Sequence, residues 1–206
     1  MAQKQAHQAD QQETAAAQLR LEPGFNLVFA GNLGLVQGLE SILDAAEMLL
    51  PHPDVRLVLV GSGRRAEWLR EQVQQRNLHN VRLPGRFPVE AMPGIFAQSS
   101  ALLVTLARNP IMSLTIPSKL QAYLAAGRPV IGALDGEGAR VVVESGAGLA
   151  CPAEDARALA ETVLQLRALD VAQREAMGRA AREYYLEHFE PTELARRLAD
   201  RFRRLR

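Results

Sequence analysis

Short apolar runs that alternate with stretches of helical spacing constrain the fold of this chain more than any other feature. The runs contain few polar residues, so the strands they predict have no face suited to water. Predicted strands lie at Phe25–Ala30, Val55–Val60, Val81–Leu83, Ala101–Leu106, Val130–Leu134 and Leu149–Cys151. Buried strands that alternate with helices are typical of a parallel sheet covered on both faces. We therefore predict an α/β fold, a Rossmann-like doubly wound parallel sheet of about six strands.

Helical spacing fills the intervals between these strands and the whole C-terminal part of the chain. The predicted helices are 39–50, 66–76, 90–98, 117–126, 139–145, 155–168, 171–187 and 191–205. We expect three parts: a polar lead (1–22), the Rossmann-like domain (23–189) and a basic amphipathic helix (190–206). Arginines surround the apolar stripe of that last helix, which is made of Leu194, Leu198, Phe202 and Leu205. The helix is interpreted as a solvated element or, alternatively, as a surface for anionic lipid headgroups or for another domain.

Composition excludes several classes of function. The chain has 206 residues and a net charge of +1, which does not indicate a nucleic-acid partner. Its one cysteine, Cys151, rules out an internal disulfide framework and suits a reducing compartment. Because no apolar run is long enough to span a bilayer and no signal peptide opens the chain, we expect a cytoplasmic protein, with peripheral contact to the inner face of a membrane as an option.

The stretch Thr115–Pro129 predicts a helix whose N-terminus suits an anion. Thr115 is expected to cap the helix, Pro117 to occupy its first turn, and Gly127 to end it. Free amides and a partial positive charge at such an end favour phosphate. Lys119, which we expect to be unpaired in the first turn, strengthens this prediction, whereas Tyr123 is expected in the core.

Glycines and polar residues gather after the predicted strands, where parallel sheets bind ligands. Gly31, Asn32 and Gly34 follow the first strand, and the run Gly61-Ser62-Gly63-Arg64 follows the second. The first segment suits a diphosphate, with a tight turn as the alternative, and the second could contact a phosphate, although a turn with solvated arginines explains it better when it is taken alone. No acidic residue ends the second strand, which disfavours a dinucleotide cofactor.

Two further loops are candidates for ligand contact. Arg86 and Phe87 end the third strand and could grip a flat nucleobase, although a structural turn is the alternative. The loop Asp135–Gly138 follows the fifth strand and is either a second ligand loop or an ordinary turn. The four histidines lie in tails and loops and form no metal-binding pattern, so no metal site is predicted.

The order of these segments resembles the C-terminal half of retaining GT-B glycosyltransferases, of the group that includes sucrose synthases and many lipopolysaccharide sugar transferases. The trailing sequence Gly146–Ala160 matches the family pattern most specifically. The resemblance implies a nucleotide-sugar co-substrate and no metal or other cofactor. The residues it assigns to nucleotide-sugar binding are Gly31, Asn32, Gly34, Gln37, Gly61, Ser62, Gly63, Arg64, Arg86, Phe87, Thr115, Ile116, Pro117, Ser118, Lys119 and Gln121.

The chain departs from the family pattern at its charged positions. Two family glutamates fall on Leu114 and Ala122, and the usual Arg and Lys of the first loop are Asn32 and Gln37. What remains resembles fucosyl- and fucosaminyl-type transferases of O-antigen and capsule assembly. In this branch Gln121 is expected to replace the ribose-binding glutamate, while no residue is assigned a catalytic role.

The resemblance also implies a partner domain. GT-B enzymes carry the acceptor site on a second Rossmann-like domain, so we expect this chain to be the donor-binding half, inactive alone. The full protein would act in cell-surface polysaccharide biosynthesis, on a lipid-linked acceptor. Rival interpretations are half of a GT-B-fold nucleotide-sugar epimerase, for which Glu137 is a loose acid/base candidate, and a non-catalytic nucleotide-binding module.

Overall fold

The computed structural model describes residues 19–204, and it contains a six-stranded sheet with helices on both faces. The strands are β1 (Phe25–Asn32), β2 (Val55–Ser62), β3 (Val81–Gly85), β4 (Ala101–Thr105), β5 (Val130–Ala133) and β6 (Gly148–Cys151). They lie in the order β3-β2-β1-β4-β5-β6, and every neighbouring pair is parallel. The predicted Rossmann-like doubly wound sheet is confirmed.

Nine α-helices connect and flank the strands of the described chain. They are α1 (Leu39–Met48), α2 (Ala66–Gln75), α3 (Met92–Gln98), α4 (Pro110–Ser113), α5 (Ser118–Ala126), α6 (Glu137–Glu144), α7 (Ala156–Ala168), α8 (Val171–His188) and α9 (Pro191–Arg204). Short 3₁₀ turns at Leu35–Gln37 and Val89–Ala91 follow β1 and β3. The second turn and α3 together occupy the segment for which one helix was predicted.

Alternate residues of the strands enter two separate cores, which explains why both faces of each strand are apolar. In β1, Leu27 and Phe29 pack with α1 and α7, whereas Val28 and Ala30 pack with α3, α5 and α8. The domain is therefore a three-layer sandwich with the sheet in the middle. Leu19, within the predicted polar lead, is buried in the second core, and the rest of that lead, residues 1–18, lies outside the described residues.

The first two strands extend further than predicted, because their terminal glycines pair instead of turning. Gly31 lies opposite Gly61 and Asn32 opposite Ser62, so the ladder continues two residues past the predicted ends. A Cβ atom on Gly61 would lie 1.8 Å from the Gly31 carbonyl oxygen. Glycine is therefore required by the close approach of two backbones. The two segments predicted as loops after these strands begin inside the sheet.

The direction in which strands are added to the sheet reverses between β1 and β4. From β1 the chain builds outward to β3 on one side and then returns to add β4, β5 and β6 on the other. In doubly wound sheets a crevice opens at this point, beyond the carboxyl ends of the strands. The loops after β1, β2, β3 and β4 meet there, and so does the N-terminus of α5.

Candidate functional site

A cleft lies at the carboxyl edge of the sheet, at the predicted crevice. It consists of two adjoining pockets of about 350 and 490 Å³, which share Gly31, Asn32, Val89 and Met92. One pocket reaches the ends of β2 and β3, and the other reaches α5. The remaining lining residues are Ala30, Gln37, Val60, Gly61, Ser62, Arg86, Phe87, Phe96, Ser118, Lys119, Ala122 and Tyr123. We call the two pockets together the carboxyl-edge cleft.

Lys119 is the central cation of this cleft. Its side chain leaves the first turn of α5, passes over Gly31, and places Nζ 3.4 Å from the centre of the Phe29 ring. A Cβ atom on Gly31 would lie 2.9 Å from Lys119 Cε, so a glycine there leaves the lysine its path. Burial without a carboxylate partner lowers the pKa of Lys119 to about 7.

The prediction that Lys119 is unpaired is wrong. Its Nζ donates a hydrogen bond of 2.9 Å to Oε1 of Gln37. Gln37 is itself held in place, because the hydroxyl of buried Thr105 donates to its backbone carbonyl at 2.6 Å. The partner is neutral, so the lysine is positioned without being compensated in charge. Sequence spacing did not indicate Thr105 as a positioning residue, since it lies 68 residues from Gln37.

Tyr123 lies in the second core, as predicted, and holds the end of β1. Its side chain is 1% exposed, and its hydroxyl both accepts from the Ala30 amide at 2.8 Å and donates to the Ala30 carbonyl at 3.3 Å. Burial raises the pKa of this phenol. Phe96 packs edge-to-face against the ring, with centroids 5.4 Å apart. The amide and the carbonyl of Ala30, the residue before Gly31, are therefore both held by hydrogen bonds.

The N-terminus of α5 opens beside Lys119. Pro117 precedes the helix as its N-cap, instead of occupying the first turn as predicted, and no side chain caps the end. The prediction that Thr115 caps this helix is also wrong, because its hydroxyl donates to the Met112 carbonyl at 2.8 Å. Ser118, Lys119 and Ala122 line the cleft on one side of the helix. An uncapped helix start beside a partly buried lysine favours an anion.

The structure brings together only part of the predicted site. The predicted residues that line the cleft are Gly31, Asn32, Gln37, Gly61, Ser62, Arg86, Phe87, Ser118 and Lys119. The predicted residues that do not line it are Gly34, Gly63, Arg64, Thr115, Ile116, Pro117 and Gln121. Ala122 faces the cleft one position after Gln121, so the geometry gives the proposed ribose contact of Gln121 no support.

Backbone packing accounts for two of the predicted glycines that lie outside the lining. A Cβ atom on Gly63 would lie 2.3 Å from the Leu33 carbonyl oxygen, and one on Gly34 would lie 2.7 Å from the Asn32 side chain. Gly63 therefore lets the loops after β1 and β2 lie against each other, and Gly34 leaves room for the Asn32 side chain. Arg64 is exposed, and Ile116 packs against the second core.

The loop Asp135–Gly138 is engaged with neighbouring segments instead of the cleft. Asp135 accepts a 3.0 Å hydrogen bond from the Ala153 amide and lies 3.6 Å from the Arg108 guanidinium. Glu137 pairs with Arg140 at 2.8 Å, and this contact lowers the pKa of the carboxyl. The role of Glu137 as a cleft acid therefore has no geometric support.

Sequence patterns do not predict the apolar wall of the pocket that contains Lys119. Val89, Met92 and Phe96 form it, and Val89 is 74% exposed. The signal available in the sequence was an apolar residue directly after the loop of β3, which is weak by itself. No Asp or Glu occurs among the residues that line the carboxyl-edge cleft. Within residues 19–204, no cluster of three His, Cys, Asp or Glu side chains could hold a metal ion.

Among the helices of the described chain, none combines the length and apolar character needed to cross a bilayer.

Sequence comparisons identify the family. Residues 10–184 match the family model described as Glycosyl transferases group 1. The probable glycosyltransferase WbjE of Pseudomonas aeruginosa is 29% identical over 146 residues, which are 70% of this chain and 36% of that protein. The putative colanic acid biosynthesis glycosyl transferase WcaI of Escherichia coli K12 is 32% identical over 101 residues, 49% of this chain and 24% of its own length. The chain therefore spans about a third or less of these curated relatives.

Among solved structures, the fold matches that of Alr3699/HepE from Anabaena, crystallised in complex with UDP and glucose. The TM-score is 0.74 at 19% sequence identity, and the match covers 93% of this chain and 51% of that one. At this identity the likeness establishes the fold alone.

Proposed function

Since this chain belongs to the Glycosyl transferases group 1 family, we propose that its carboxyl-edge cleft binds the nucleotide-sugar donor of a sugar-transfer reaction. The observation that carries the proposal is the placement of Lys119. A partly buried lysine without a carboxylate partner lies beside an uncapped helix start and a glycine-bearing strand end. A diphosphate is the ligand that would complete this arrangement.

The diphosphate is proposed to lie between Lys119 and the end of β1. Gly31 carries no side chain, so a phosphate can approach its backbone closely, and Asn32 supplies a polar side chain at the same edge. Gln37 holds the lysine over the Phe29 ring until the ligand arrives. The negative charges of the phosphates would then favour the protonated form of this lysine, which burial disfavours.

The base is proposed to bind in the pocket at the ends of β2 and β3. Ser62 offers a hydroxyl there, and Arg86 and Phe87 lie at the same pocket. Arg86 is exposed, and no carboxylate of the described residues lies within ion-pair distance of it, while Phe87 is half-buried against the second core. An arginine and an aromatic ring together can stack on a base and bind its edge.

In the full protein, the proposed role of this half is to stabilise the leaving diphosphate. Lys119 and the helix start of α5 would oppose the charge that develops as the bond to the sugar breaks. The resemblance to retaining GT-B enzymes implies transfer with retention at the anomeric carbon. No residue of this cleft is proposed as a nucleophile, because its lining contains no carboxylate.

A second domain is proposed to cover this edge and bind the acceptor. Five large apolar side chains are exposed in the segments that follow β1, β3 and β4, namely Leu35, Val36, Val89, Ile111 and Leu114. Such an apolar rim around a polar cleft is typical of an interaction surface. The chain also spans only about half of the Anabaena protein that shares its fold. We propose that this half binds donor but does not transfer sugar by itself.

The biological setting is proposed to be cell-surface polysaccharide assembly, since the name of the relative WcaI assigns it to colanic acid biosynthesis. A fucosyl- or fucosaminyl-type donor stays a prediction, as do a lipid-linked acceptor and peripheral contact with an anionic membrane. A panel of nucleotide sugars tests the donor, and sedimentation with acidic vesicles tests the membrane contact.

A non-catalytic nucleotide-binding module is the second candidate, and one observation favours it. Ala122 lies in the cleft where the family has a glutamate, and Leu114, at the other glutamate position, is 78% exposed. The absence of acidic residues from the cleft lining disfavours half of an epimerase, which needs acid/base groups.

Calorimetric titration of this chain with UDP-glucose, ADP-glucose and GDP-mannose tests the proposal. We expect saturable 1:1 binding of at least one of them, weakened about tenfold by Arg86→Gln because a contact to the base is lost. Arg157→Gln is the matched control, since Arg157 is exposed on α7 and does not line the cleft. Absence of binding for all three ligands would overturn the proposed donor site. A second assay, for transfer of labelled sugar by the full-length protein, would separate an enzyme from a non-catalytic module.

A further inference from the structure

A second cavity of about 500 Å³ lies at the opposite, amino edge of the sheet. Its walls are Ser99 and Ser100 before β4, Gly127–Pro129 before β5, and one side of α8. The residues of α8 that line it are Val171, Arg174, Glu175, Gly178, Arg179 and Arg182. We call it the amino-edge cavity. The proposed donor site has no residue in common with it.

Four arginines converge on this cavity against one acidic side chain. Arg128 comes from the loop before β5, and Arg174, Arg179 and Arg182 come from α8. Glu175 is the acidic member of the lining. Among residues 19–204, no carboxylate lies within ion-pair distance of any of the four guanidinium groups, although eleven other arginines in this part of the chain form such pairs. Convergence of like charges is unfavourable unless an anion compensates it.

Backbone carbonyls hold three of these arginines in place. Arg128 donates to the Ala97 carbonyl in the last turn of α3, and Arg182 donates to the Ala125 carbonyl of α5 at 2.7 Å. Arg174 donates to the Leu169 carbonyl at the end of α7. Helix C-termini carry partial negative charge, which explains why arginines collect here. Each guanidinium has five N–H donors, so these contacts leave donors over for a ligand.

The side chain of Arg179 donates no hydrogen bond to a backbone carbonyl of the described residues. No hydrogen bond or ion pair of its side chain occurs among the described residues, and it is exposed at the cavity. Two glycines shape the wall beside it: a Cβ atom on Gly178 would lie 2.3 Å from the Gly127 carbonyl oxygen. The close contact of α8 with this loop fixes the relative positions of the arginines on either side.

We propose that the amino-edge cavity is a binding site for a phosphate-bearing anion, separate from the donor cleft. Planar guanidinium groups bind phosphate oxygens in pairs, and here several of them surround one cavity on rigid elements. The phosphate can belong to a free anion or to a lipid headgroup, since both present the same oxygens. Arg179 is the ligand-binding residue whose removal disturbs the fold least.

Pyrophosphate titration measured by calorimetry, together with vesicle sedimentation, tests this site. We expect Arg179→Gln to weaken binding about tenfold, because one charge-assisted contact is lost. Glu175→Gln should strengthen binding, because a negative charge leaves the same wall. Arg157→Gln removes an arginine from α7 outside the cavity, and Lys119→Met disables the donor cleft, so neither should change the affinity of this site.

The outcomes separate the two sources of phosphate. Pyrophosphate binding that Arg179→Gln weakens supports the site with a free anion as its ligand. Binding to vesicles that contain phosphatidylglycerol, but not to neutral vesicles, supports a lipid headgroup if Arg179→Gln weakens it. The proposal is overturned if neither probe binds, or if Arg179→Gln, with an unchanged thermal transition, binds both probes as well as the unaltered chain does. The proposal is also overturned if Lys119→Met abolishes pyrophosphate binding and Arg179→Gln does not, because the binding would then belong to the donor cleft.

Discussion

Lys119 shows how a single residue combines a cost in stability with a function. Its charge is held in a partly buried place by a neutral glutamine and an aromatic ring, without a carboxylate. Burial brings its pKa from 10.5 to about 7. Between these values the unfolded chain binds a proton that the folded chain does not, so stability should rise with pH across this interval.

Replacing Lys119 by methionine removes this dependence. We expect Lys119→Met to be more stable than the unaltered chain at about pH 7, because no charge is desolvated. The advantage should shrink by about 2 kcal/mol at about pH 9, because the lysine of the folded chain is then neutral while that of the unfolded chain still carries its proton. Urea denaturation at the two pH values measures the difference. A constant difference between the two proteins would show that this lysine is not desolvated.

At the scale of elements, the pairing of β1 with β2 determines the shape of the cleft. Gly31 and Gly61 lie opposite each other within the ladder, so both strand ends reach the carboxyl-edge cleft. The apolar runs predicted these strands but stopped at the glycines, because a glycine after a strand usually indicates a turn. Only the three-dimensional approach of the two backbones shows that the glycines continue the sheet.

Gly61→Ala tests this close approach. The new Cβ would lie 1.8 Å from the Gly31 carbonyl oxygen, so we expect a loss of about 3 kcal/mol or more in the free energy of unfolding. Gly85→Ala is the matched control, because φ is also positive there, at 89°, but nothing lies within 4 Å of the added atom. Its cost should be about 1–2 kcal/mol, from backbone conformation alone. Equal losses in the two variants, measured by urea denaturation, would contradict the steric explanation.

The site was predictable in its location but not in its contacts. Apolar runs and the glycines after them predict a ligand site at the carboxyl edge, because parallel sheets in general bind ligands there. The partnership of Lys119 with Gln37 joins residues 82 positions apart, and Tyr123 bonds to Ala30 across 93 positions. Local spacing carries no signal for such pairs. For the same reason the helix pattern could not distinguish Gln121 from Ala122 as the residue that faces the cleft.

For the whole molecule, the two edges of one sheet carry different binding features. The carboxyl edge has the cleft with Lys119 and an exposed apolar rim, while the amino edge has the cavity with four arginines. The near-neutral net charge of +1 hides this separation. The proposed donor site and the proposed phosphate site therefore lie at opposite edges of the sheet, with the packed helices and sheet between them.

The central claim is that Lys119 binds the diphosphate of a nucleotide sugar in its charged form. The direct measurement is the calorimetric affinity of the tightest of the three nucleotide sugars at about pH 6 and about pH 8.5, for the unaltered chain and Lys119→Met. The diphosphate diester keeps its charges across this range, whereas the free lysine loses its proton near its pKa of about 7. We predict affinity about tenfold weaker at the higher pH for the unaltered chain, and weak, pH-independent binding for the variant. Equal affinity at both pH values, or a variant that binds as tightly as the unaltered chain, would contradict the account.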